Sequence, residues 1–302
     1  MSLFDKVIVA TMPLVPKPMV RYFAGRYIAG DKLEDAVRVV RALNRRGICA
    51  TIDVLGEEVE ERGEARSAVD DYLAVLAAVD AEKLDSNISL KPTMFGLKID
   101  KAFCRDNIAE VCEAAKGYGN FVRIDMEDTS CTDDTLELYY DLQAAYGNVG
   151  TVIQSYLRRS VDDCVKLAAA GANIRMCKGI YDEPRALAYK NKAIVDANFG
   201  LLLDVLFAGG CYVGIATHDE KMVWEGLRAV QKFDLARDQY EFQMLLGIDA
   251  QLRDIIVAAG HKLRIYVPFG TQWYPYSTRR LKENPELAGS IFRNIFRKYE
   301  FD

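Results

Sequence analysis

The sequence predicts an α/β protein built as a closed (β/α)8 barrel, because two patterns recur along it. Short segments rich in β-branched residues alternate with longer amphipathic segments, which is typical of parallel sheets whose strands are joined by helices. Eight such short segments follow one another at intervals of about 20 to 40 residues, and eight is the number that closes this kind of barrel. An open, doubly wound sheet is the alternative, but it would not need the eighth strand.

The predicted strands follow a first helical pattern and end before a Pro/Gly loop. They cover, in order, 48–54, 86–92, 120–126, 151–157, 173–179, 212–217, 241–246 and 262–268. Helical patterns cover 31–46, 106–119 and 184–210, and the last of these stops at a Gly-Gly pair. Since no Gly/Ser-rich linker interrupts the chain, we expect one domain over 1–302, with leading helices over 1–45, the barrel over 46–270 and C-terminal helices over 275–302.

The composition bounds the class of protein. Of the 302 residues, 50% are hydrophobic and 27% are charged, and the net charge of −5 gives a nucleic-acid partner no electrostatic support. The seven cysteines form no CxxC pair, which fits reduced thiols in a cytoplasmic protein, and two histidines do not suffice for a histidine-rich metal site. The apolar run over 7–16 is too short to span a bilayer, so we expect a leading helix there or a contact with a membrane surface.

Most of the predicted strands end on a residue that can take part in chemistry. These residues are Lys91, Asp125, Gln154, Lys178, Thr217 with His218, and Tyr266. Parallel strands are usually apolar throughout, and their carboxyl ends meet on one face of a barrel. The sequence therefore predicts a shared site on that face.

A pair of adjacent arginines follows the last predicted strand. On a helix that opens near residue 275, three side chains share one face: Tyr276, Arg279 and Arg280. Glu283 lies one turn further along the same face. Two guanidiniums beside an aromatic wall suit a small carboxylate, which arginine binds in bidentate fashion. The alternative is a solvated basic turn paired with Glu283.

Two cations, Arg175 and Lys178, flank the end of the fifth predicted strand. Because Gly179 follows, the backbone can come close to a ligand, and an anionic cofactor with a diphosphate would suit the charge. Salt bridges to Asp182 or Glu183 at the barrel rim are the alternative. Lys178 could also be the Schiff-base lysine of an aldolase.

Three further strand-end residues each allow more than one interpretation. Asp125 could be a general base, or the ion-pair partner of an arginine or a lysine. Gln154 could be a satisfied interior amide, or it could bind a heterocyclic ring. His218 lies where a ligand could reach it, although a lone histidine is more often structural. Since the chain has no GxGxxG, Walker, HExxH or GxSxG motif, a nucleotide cofactor would bind without the Rossmann fingerprint.

Taken together, these segments resemble the proline dehydrogenase family of flavoenzymes. The matching segments are SLKP around Lys91, RIDMED around Asp125, VIQSYLRR around Gln154, IRMCKGIYDEP around Arg175, IATHDE around Thr217, FQMLLG over 242–247, RIYVPFG around Tyr266 and YSTRRLKE around Arg279. They span about residues 86 to 283 in the order and spacing of the family. The set is specific, although no single segment would be.

The resemblance implies a distorted (β/α)8 barrel with N-terminal helices and a final helix over its carboxyl face. It implies an enzyme that oxidises L-proline to 1-pyrroline-5-carboxylate by hydride transfer to FAD and passes the electrons to a quinone. We therefore expect a cytoplasmic protein, or one peripheral at the membrane, whose contact with the membrane surface is transient. No aldehyde dehydrogenase module follows the barrel, so we expect a monofunctional enzyme.

The resemblance also implies residue roles. The residues expected to bind the substrate are Lys91, Tyr266, Tyr276, Arg279 and Arg280, with Glu283 supporting the arginines. Those expected to take part in catalysis are Asp125, which also belongs to the substrate pocket, and Arg175, near the reactive edge of the flavin. Those expected to hold FAD are Met126, Gln154, Lys178, Gly179, Ile180, Thr217 and His218.

Two rival functions fit the same barrel. A Schiff-base aldolase that uses Lys178 would leave the arginine pair without a cofactor-linked role. A non-catalytic barrel would bind an amino acid, a quinone or a partner protein without reducing a flavin. Within the family, hydroxyproline is a sibling substrate, which Tyr276 would exclude by crowding the ring hydroxyl.

Overall fold

Eight parallel strands form one closed barrel. The computed structural model describes residues 25, 27–274 and 277. The strands are β1 (Cys49–Val54), β2 (Ser86–Leu90), β3 (Val122–Ile124), β4 (Val149–Gln154), β5 (Asn173–Cys177), β6 (Tyr212–Ala216), β7 (Tyr240–Leu245) and β8 (Leu263–Phe269). Each strand pairs with its neighbours in sequence, and β8 pairs with β1, which closes the sheet. The predicted barrel is confirmed, and the open sheet is wrong.

Helices alternate with the strands and pack around the outside. They are α1 (Leu33–Asn44), α2 (Arg62–Ala81), α3 (Lys101–Gly117), α4 (Thr132–Tyr146), α5 (Ser160–Ala169), α6 (Lys192–Ala208), α7 (Glu220–Lys232) and α8 (Ala250–Ala258). A short 3-10 helix, Pro92–Phe95, lies between β2 and α3. Because every connection returns the chain to a parallel strand, the carboxyl ends of all strands lie on one face of the barrel.

Positions along the strands alternate between apolar and polar side chains. In β1, Ala50 and Ile52 belong to the hydrophobic core under the helices, whereas Asp53 is fully buried among polar residues. Asp53 lies in register with Ser89 of β2, which in turn lies in register with Arg123 of β3. Since successive side chains of a strand point to opposite faces, these polar residues line the barrel interior. The interior is therefore polar along its length and not only at the strand ends.

Two strand glycines make room for polar side chains in this interior. A Cβ on Gly150 of β4 would overlap the guanidinium of Arg123, its neighbour in β3. A Cβ on Gly214 of β6 would overlap the side-chain amide of Gln243 in β7. Since packed interiors leave no spare volume, only glycine at these positions lets both polar side chains cross the barrel.

A buried carboxylate ties together the loops that follow β2 and β3. Glu127 accepts hydrogen bonds from the backbone N–H of Thr93 (2.9 Å) and from its hydroxyl (2.6 Å). Burial raises the pKa of Glu127 to about 7, although the hydrogen bonds from Thr93 oppose the shift. Because Thr93 lies two residues after Lys91, this contact positions the end of β2 against the end of β3.

The predicted helix over 184–210 begins later than its pattern suggests. Helix α6 starts at Lys192, and the side chain of Asn191 caps it. The residues before it pair with the loop after β4, since Tyr189 donates its backbone N–H to Tyr156 O (2.8 Å). Helical periodicity does not report this competing backbone partner, so the first two turns of the predicted helix are wrong.

The fourth strand ends earlier than predicted, at Gln154 instead of residue 157. The carbonyl of Gln154 accepts hydrogen bonds from the Leu157 N–H (3.2 Å) and the Ser160 hydroxyl (2.5 Å). These bonds turn the chain away from the sheet and into α5. The other seven strands agree with their predictions to within two residues at each end.

Some predicted features lie outside the described residues. These are the apolar run over 7–16 and most of the C-terminal helices over 275–302. Among the described helices, none is both long and apolar enough to cross a membrane. The described part of the chain also contains no group of three His, Cys, Asp or Glu side chains that could hold a metal ion.

Replacing Gly214 with alanine should lower the free energy of unfolding by about 2 kcal/mol, because the new Cβ displaces a confined side-chain amide. Denaturant unfolding of the variant and the parent measures the difference. Gly63→Ala is the matched control, since Gly63 lies in α2 with open space around its Cβ and should be neutral or slightly stabilising. Equal effects of the two substitutions would contradict the space argument.

Glu127 should make stability fall as the pH rises. Its pKa in the folded state, about 7, lies above the ordinary value of 4.5, so the folded protein retains a proton that the unfolded chain has lost. The stability that this proton contributes is present below the unfolded pKa and is lost as the pH rises through the folded pKa, a change of about 3 kcal/mol.

Glu127→Gln removes this titration, and its amide can still bond to Thr93. Relative to the parent, the variant should therefore gain about 3 kcal/mol between roughly pH 4.5 and pH 8, as measured by urea unfolding at each pH. Glu110→Gln, at an exposed ion pair with Arg66, should keep the pH dependence of the parent. A Glu127→Gln variant whose free energy of unfolding equals that of the parent at every pH would contradict the raised pKa of Glu127.

Candidate active site

The carboxylate of Asp125 joins three side chains at the carboxyl face of the barrel. Its Oδ1 accepts hydrogen bonds from Ser89 Oγ (2.6 Å) and Arg175 Nη1 (2.5 Å). Its Oδ2 accepts a hydrogen bond from the Tyr266 hydroxyl (2.9 Å). The four residues come from β2, the end of β3, β5 and β8, so the closed barrel is what brings them together.

Arg175 is held from a second side by an amide of defined orientation. Its Nε donates to Gln243 Oε1 (2.7 Å), and Gln243 Nε2 donates to Glu241 Oε1 (2.6 Å). Since an ionised carboxylate only accepts, Glu241 turns the amide so that its oxygen faces Arg175. The guanidinium carbon of Arg175 also lies 5.1 Å from the centre of the Tyr266 ring. These contacts define the orientation of the guanidinium.

A buried ion pair lies beside this cluster. Lys91 Nζ is 2.6 Å from Asp53 Oδ1, and the side chain of Asp53 has no exposed surface. Burial raises the pKa of Asp53, and the charge of Lys91 opposes that shift. The Tyr72 hydroxyl lies 3.5 Å from the same oxygen of Asp53. The two charges therefore depend on each other, and Asp53 anchors the Lys91 ammonium at the end of β2.

The described part of this cluster is electroneutral. Lys91 and Arg175 carry two positive charges, and Asp53 and Asp125 carry two negative charges. A ligand carboxylate placed here would compete with protein carboxylates for both cations, so it requires further positive charge. The four C-terminal site residues predicted from the sequence lie outside the described residues: Tyr276, Arg279, Arg280 and Glu283.

A second charged cluster lies at the ends of β5 and β6. Lys178 Nζ is 2.7 Å from both Asp196 Oδ1 and Asp219 Oδ2. Burial opposes the ionisation of Asp219, but hydrogen bonds from Lys178 and Lys192 prevail and lower the pKa of Asp219 to about 2. Lys178 thus sits as a charged group between two carboxylates.

The rim carboxylates considered as partners for the fifth strand bond elsewhere. Asp182 pairs with Lys190 (2.8 Å), and Glu183 accepts a hydrogen bond from the Thr129 N–H (2.7 Å). The salt-bridge alternative for the two strand-end cations is therefore wrong. Arg175 instead pairs with Asp125, and Lys178 pairs with Asp196 and Asp219.

Thr217 and His218 bond to backbone at the start of the loop after β6. Thr217 Oγ1 accepts a hydrogen bond from the Asp219 N–H (3.0 Å), and His218 Nε2 accepts one from the Leu245 N–H (2.7 Å). Both side chains therefore brace this turn, which is the structural interpretation raised for His218. They lie on the same face of the barrel as Lys178.

Gly179, predicted to let the backbone approach a ligand, lies against the ring of Tyr156. Its φ of +98° favours glycine, and a Cβ there would overlap the ring of Tyr156. The next residue, Ile180, leaves 40% of its surface exposed. The end of β5 thus combines a glycine packed against an aromatic ring with an exposed apolar group.

Gln154 is buried with an unused acceptor. Its Nε2 lies 3.4 Å from Met126 O and 3.3 Å from Glu127 O, and its Oε1 has no hydrogen-bond partner among the described residues. A buried acceptor without a donor destabilises the protein unless a ligand supplies the donor. The interpretation of Gln154 as a fully satisfied interior amide is therefore wrong.

Four residues of the Asp125 cluster and of the ion pair beside it were not found from the strand ends: Asp53, Ser89, Glu241 and Gln243. All four lie inside strands, where parallel sheets are usually apolar. A signal for them was nevertheless present, because polar residues occupy alternate positions, as in TID in β1, NISLK from β2 and EFQ in β7. A polar stripe of period two within a parallel strand indicates the side that faces a barrel interior.

Known proteins are similar in sequence to this chain over nearly its whole length. The family model described as proline dehydrogenase matches residues 36–292. Proline dehydrogenase 1 of Bacillus subtilis strain 168 is 36% identical over 278 residues, which cover 92% of this chain and 92% of that protein. Proline dehydrogenase of Deinococcus radiodurans is 36% identical over 279 residues, which cover 91% of this chain and 90% of that protein.

A solved structure shares the fold. Proline utilization A (PutA) from Bdellovibrio bacteriovorus, inactivated by N-propargylglycine, matches with a TM-score of 0.82 and 24% sequence identity. The match covers 93% of this chain and 36% of the longer PutA chain. Given the family match and the two relatives of similar length, the chain belongs to the proline dehydrogenase family, the enzymes that oxidise L-proline.

Proposed function

We propose that the protein oxidises L-proline to 1-pyrroline-5-carboxylate, with FAD as the hydride acceptor and a quinone as the final electron acceptor. The observation that carries the proposal is the cluster centred on Asp125, at the carboxyl face of a barrel whose relatives are proline dehydrogenases. Fixed charges and a tyrosine ring around a small volume suit a small zwitterion better than a large apolar substrate.

The carboxyl face fits a flavin dinucleotide. Gln154 Oε1 is a buried acceptor without a donor among the described residues, and Lys178 is a cation at the end of β5, which suits a diphosphate. We assign the FAD contacts to Met126, Gln154, Lys178, Gly179, Ile180, Thr217 and His218. Bound FAD would supply the acceptor for the hydride that leaves the carbon next to the amine.

Asp125 acts in this proposal as an organiser and not as a base. Its two oxygens already accept three hydrogen bonds, from Ser89, Arg175 and Tyr266, so little capacity remains for a substrate proton. The carboxylate instead holds the Arg175 charge and the Tyr266 ring in fixed positions around the substrate. Such preorientation is the main contribution that a protein makes to hydride transfer.

The substrate carboxylate takes its counter-charge from beyond the described cluster. Asp53 and Asp125 already balance Lys91 and Arg175. We assign the remaining positive charge to the C-terminal group: Arg279 and Arg280, with Glu283 beside them and Tyr276 as the wall of the pocket. Lys91 adds a hydrogen-bond donor to the same carboxylate while it keeps its contact with Asp53.

The surroundings of Lys178 disfavour a Schiff-base aldolase. A lysine of that kind is activated by an apolar pocket or by a neighbouring cation. Lys178 Nζ instead lies 2.7 Å from each of two carboxylates. Its contacts suit a role in charge pairing and anion binding.

An absorption spectrum of the purified protein, before and after anaerobic addition of L-proline, tests the proposal. We expect a flavin band that bleaches when proline is added, because hydride transfer reduces the flavin. N-propargylglycine, which inactivated the Bdellovibrio PutA, should also inactivate this protein, since it carries the same amine and carboxylate groups as proline.

The other outcomes would exclude parts of the proposal. A flavin band that is indifferent to proline would leave the cofactor in place and exclude the substrate. A colourless protein that cannot be reconstituted with FAD would exclude the flavoenzyme and favour an aldolase or a binding barrel. A proline-reduced flavin that no quinone analogue reoxidises would exclude the assigned electron acceptor alone.

Asp53→Asn should weaken both the fold and the use of proline. Removing one member of a buried ion pair leaves the Lys91 charge uncompensated, which should lower the free energy of unfolding by about 3 kcal/mol. A displaced Lys91 should also lower kcat/KM for proline about tenfold, mainly through KM. Urea unfolding and steady-state kinetics measure the two effects.

Asp106→Asn is the matched control, since Asp106 pairs with Arg105 at the surface, where the aspartate side chain is 75% exposed. This substitution should change neither quantity. The double variant Asp53→Asn with Lys91→Met should recover part of the stability and none of the proline affinity. An unchanged KM in Asp53→Asn would show that Lys91 is placed without help from Asp53.

A further inference from the structure

A pocket opens at the amino-terminal ends of the strands, on the opposite face of the barrel from the Asp125 cluster. It encloses about 600 Å³, and its lining includes Asn87, Arg123, Asn173, Tyr212, Lys262 and Arg264. We call it the amino-terminal pocket. Its volume lies within the range of small-molecule sites. Neither proline nor FAD has a role there.

The carboxylates of the amino-terminal pocket already have hydrogen-bond or ion-pair partners. At its rim, Asp80 pairs with Lys83 (2.9 Å), and the exposed Asp85 accepts a hydrogen bond from the Cys49 thiol (3.1 Å). In its interior, Glu241 is bonded to Arg264, with Oε1 and Nε 2.7 Å apart. Positive charge inside the pocket therefore exceeds negative charge.

Arg123 is an interior cation of this pocket. It is 2% exposed and forms no ion pair with a carboxylate of the described residues. Its Nη1 donates to two neutral acceptors, Thr151 O (2.8 Å) and Asn173 O (2.6 Å). A buried charge of this kind is costly until an anion or a carboxylate pairs with it.

The surrounding charges do not compensate Arg123. Burial, followed by repulsion from Arg175, lowers the pKa of Arg123 to about 9. Glu241 and Asp125 attract Arg123, but each of them is already bonded to another arginine. An anion that reached the amino-terminal pocket would supply the missing charge.

The pocket also offers hydrogen-bond donors without matching acceptors. The Oδ1 of Asn173 accepts from Arg123, and the Oδ1 of Asn87 accepts from the Thr51 hydroxyl. Both amides thus have their oxygens occupied, and neither NH2 group donates to an atom of the described residues. Lys262 adds an ammonium at the mouth, where its side chain is 39% exposed, although its Nζ also lies 3.5 Å from Glu241 Oε2 and donates to the Tyr212 hydroxyl (3.3 Å). A ligand rich in acceptors would complement this set.

We propose that the amino-terminal pocket binds a small oxyanion, phosphate or a carboxylate, whose charge pairs with Arg123 and Lys262. Arginine binds either group through paired hydrogen bonds, and the two asparagine amides supply further donors. Because the pocket and the Asp125 cluster lie at opposite ends of the barrel, the anion and proline do not compete.

Calorimetric titration of the protein tests this site, with inorganic phosphate in one arm and succinate in the other. Sodium chloride at matched ionic strength serves as the reference. We expect one saturable site per chain and a rise in Tm that follows the ligand concentration. Binding of phosphate alone identifies a phosphate site, and binding of succinate alone identifies a carboxylate site. Saturating L-proline should leave the affinity unchanged.

Asn173→Asp is the sharpest variant, because it places a carboxylate against Arg123 with almost no change in shape. It should raise Tm in chloride and weaken anion binding at least tenfold (~1.4 kcal/mol). Lys262→Ala, at the open mouth, should weaken binding severalfold, and Tm in chloride reports any effect on stability. Lys232→Ala is the control, since Lys232 pairs with Asp204 on the outer helices and should not affect the affinity.

Three results would overturn the proposal. The first is the absence of saturable binding of both anions beyond the chloride reference. The second is full anion affinity in both Asn173→Asp and Lys262→Ala. The third is displacement of the anion by L-proline, which would assign the binding to the carboxyl face.

Discussion

The carboxylate of Asp125 is the contact on which the carboxyl-face site depends. It accepts hydrogen bonds from Ser89, Arg175 and Tyr266, which belong to three different strands. Hydrogen bonds to an ionised group are stronger than neutral ones, and exclusion of water strengthens them further. Once the closed barrel has brought these strands together, the carboxylate therefore holds the Arg175 guanidinium and the Tyr266 ring in fixed positions. Gln243 adds a second constraint on Arg175, and Glu241 defines the orientation of that amide.

Charge inside the barrel is organised in pairs from one end to the other. The pairs are Lys91 with Asp53, Arg175 with Asp125, and Arg264 with Glu241. Pairing is what makes buried charge tolerable, because the desolvation of each ion is offset by its partner. The glycines of β4 and β6 supply the volume that the long polar side chains need. Arg123 has no such partner among the described residues, and this distinguishes the amino-terminal pocket from the rest of the barrel interior.

The elements that local pattern determines were predicted well. Seven strands agree closely with their predicted positions, since β-branched runs and flanking turns mark them in the sequence. The errors occur where a distant segment competes for backbone hydrogen bonds. The residues before α6 bond to the loop after β4 and so do not form the predicted helical turns, and the carbonyl of Gln154 ends β4 early. Periodicity contains no information about such partners.

By itself, the sequence determined the barrel, the face that carries the chemistry and the family, because strand order, strand ends and motif spacing are local features. It also predicted that Lys91, Asp125, Arg175 and Tyr266 belong to one site. Only the tertiary structure decided which charges pair, since Asp53 meets Lys91 and Gln243 meets Arg175 across strands that are far apart in the chain. Among the described residues, it also left Gln154 Oε1 without a donor and the buried Arg123 without an ion-pair partner. These properties depend on distances between side chains of different strands, which are set when the sheet closes.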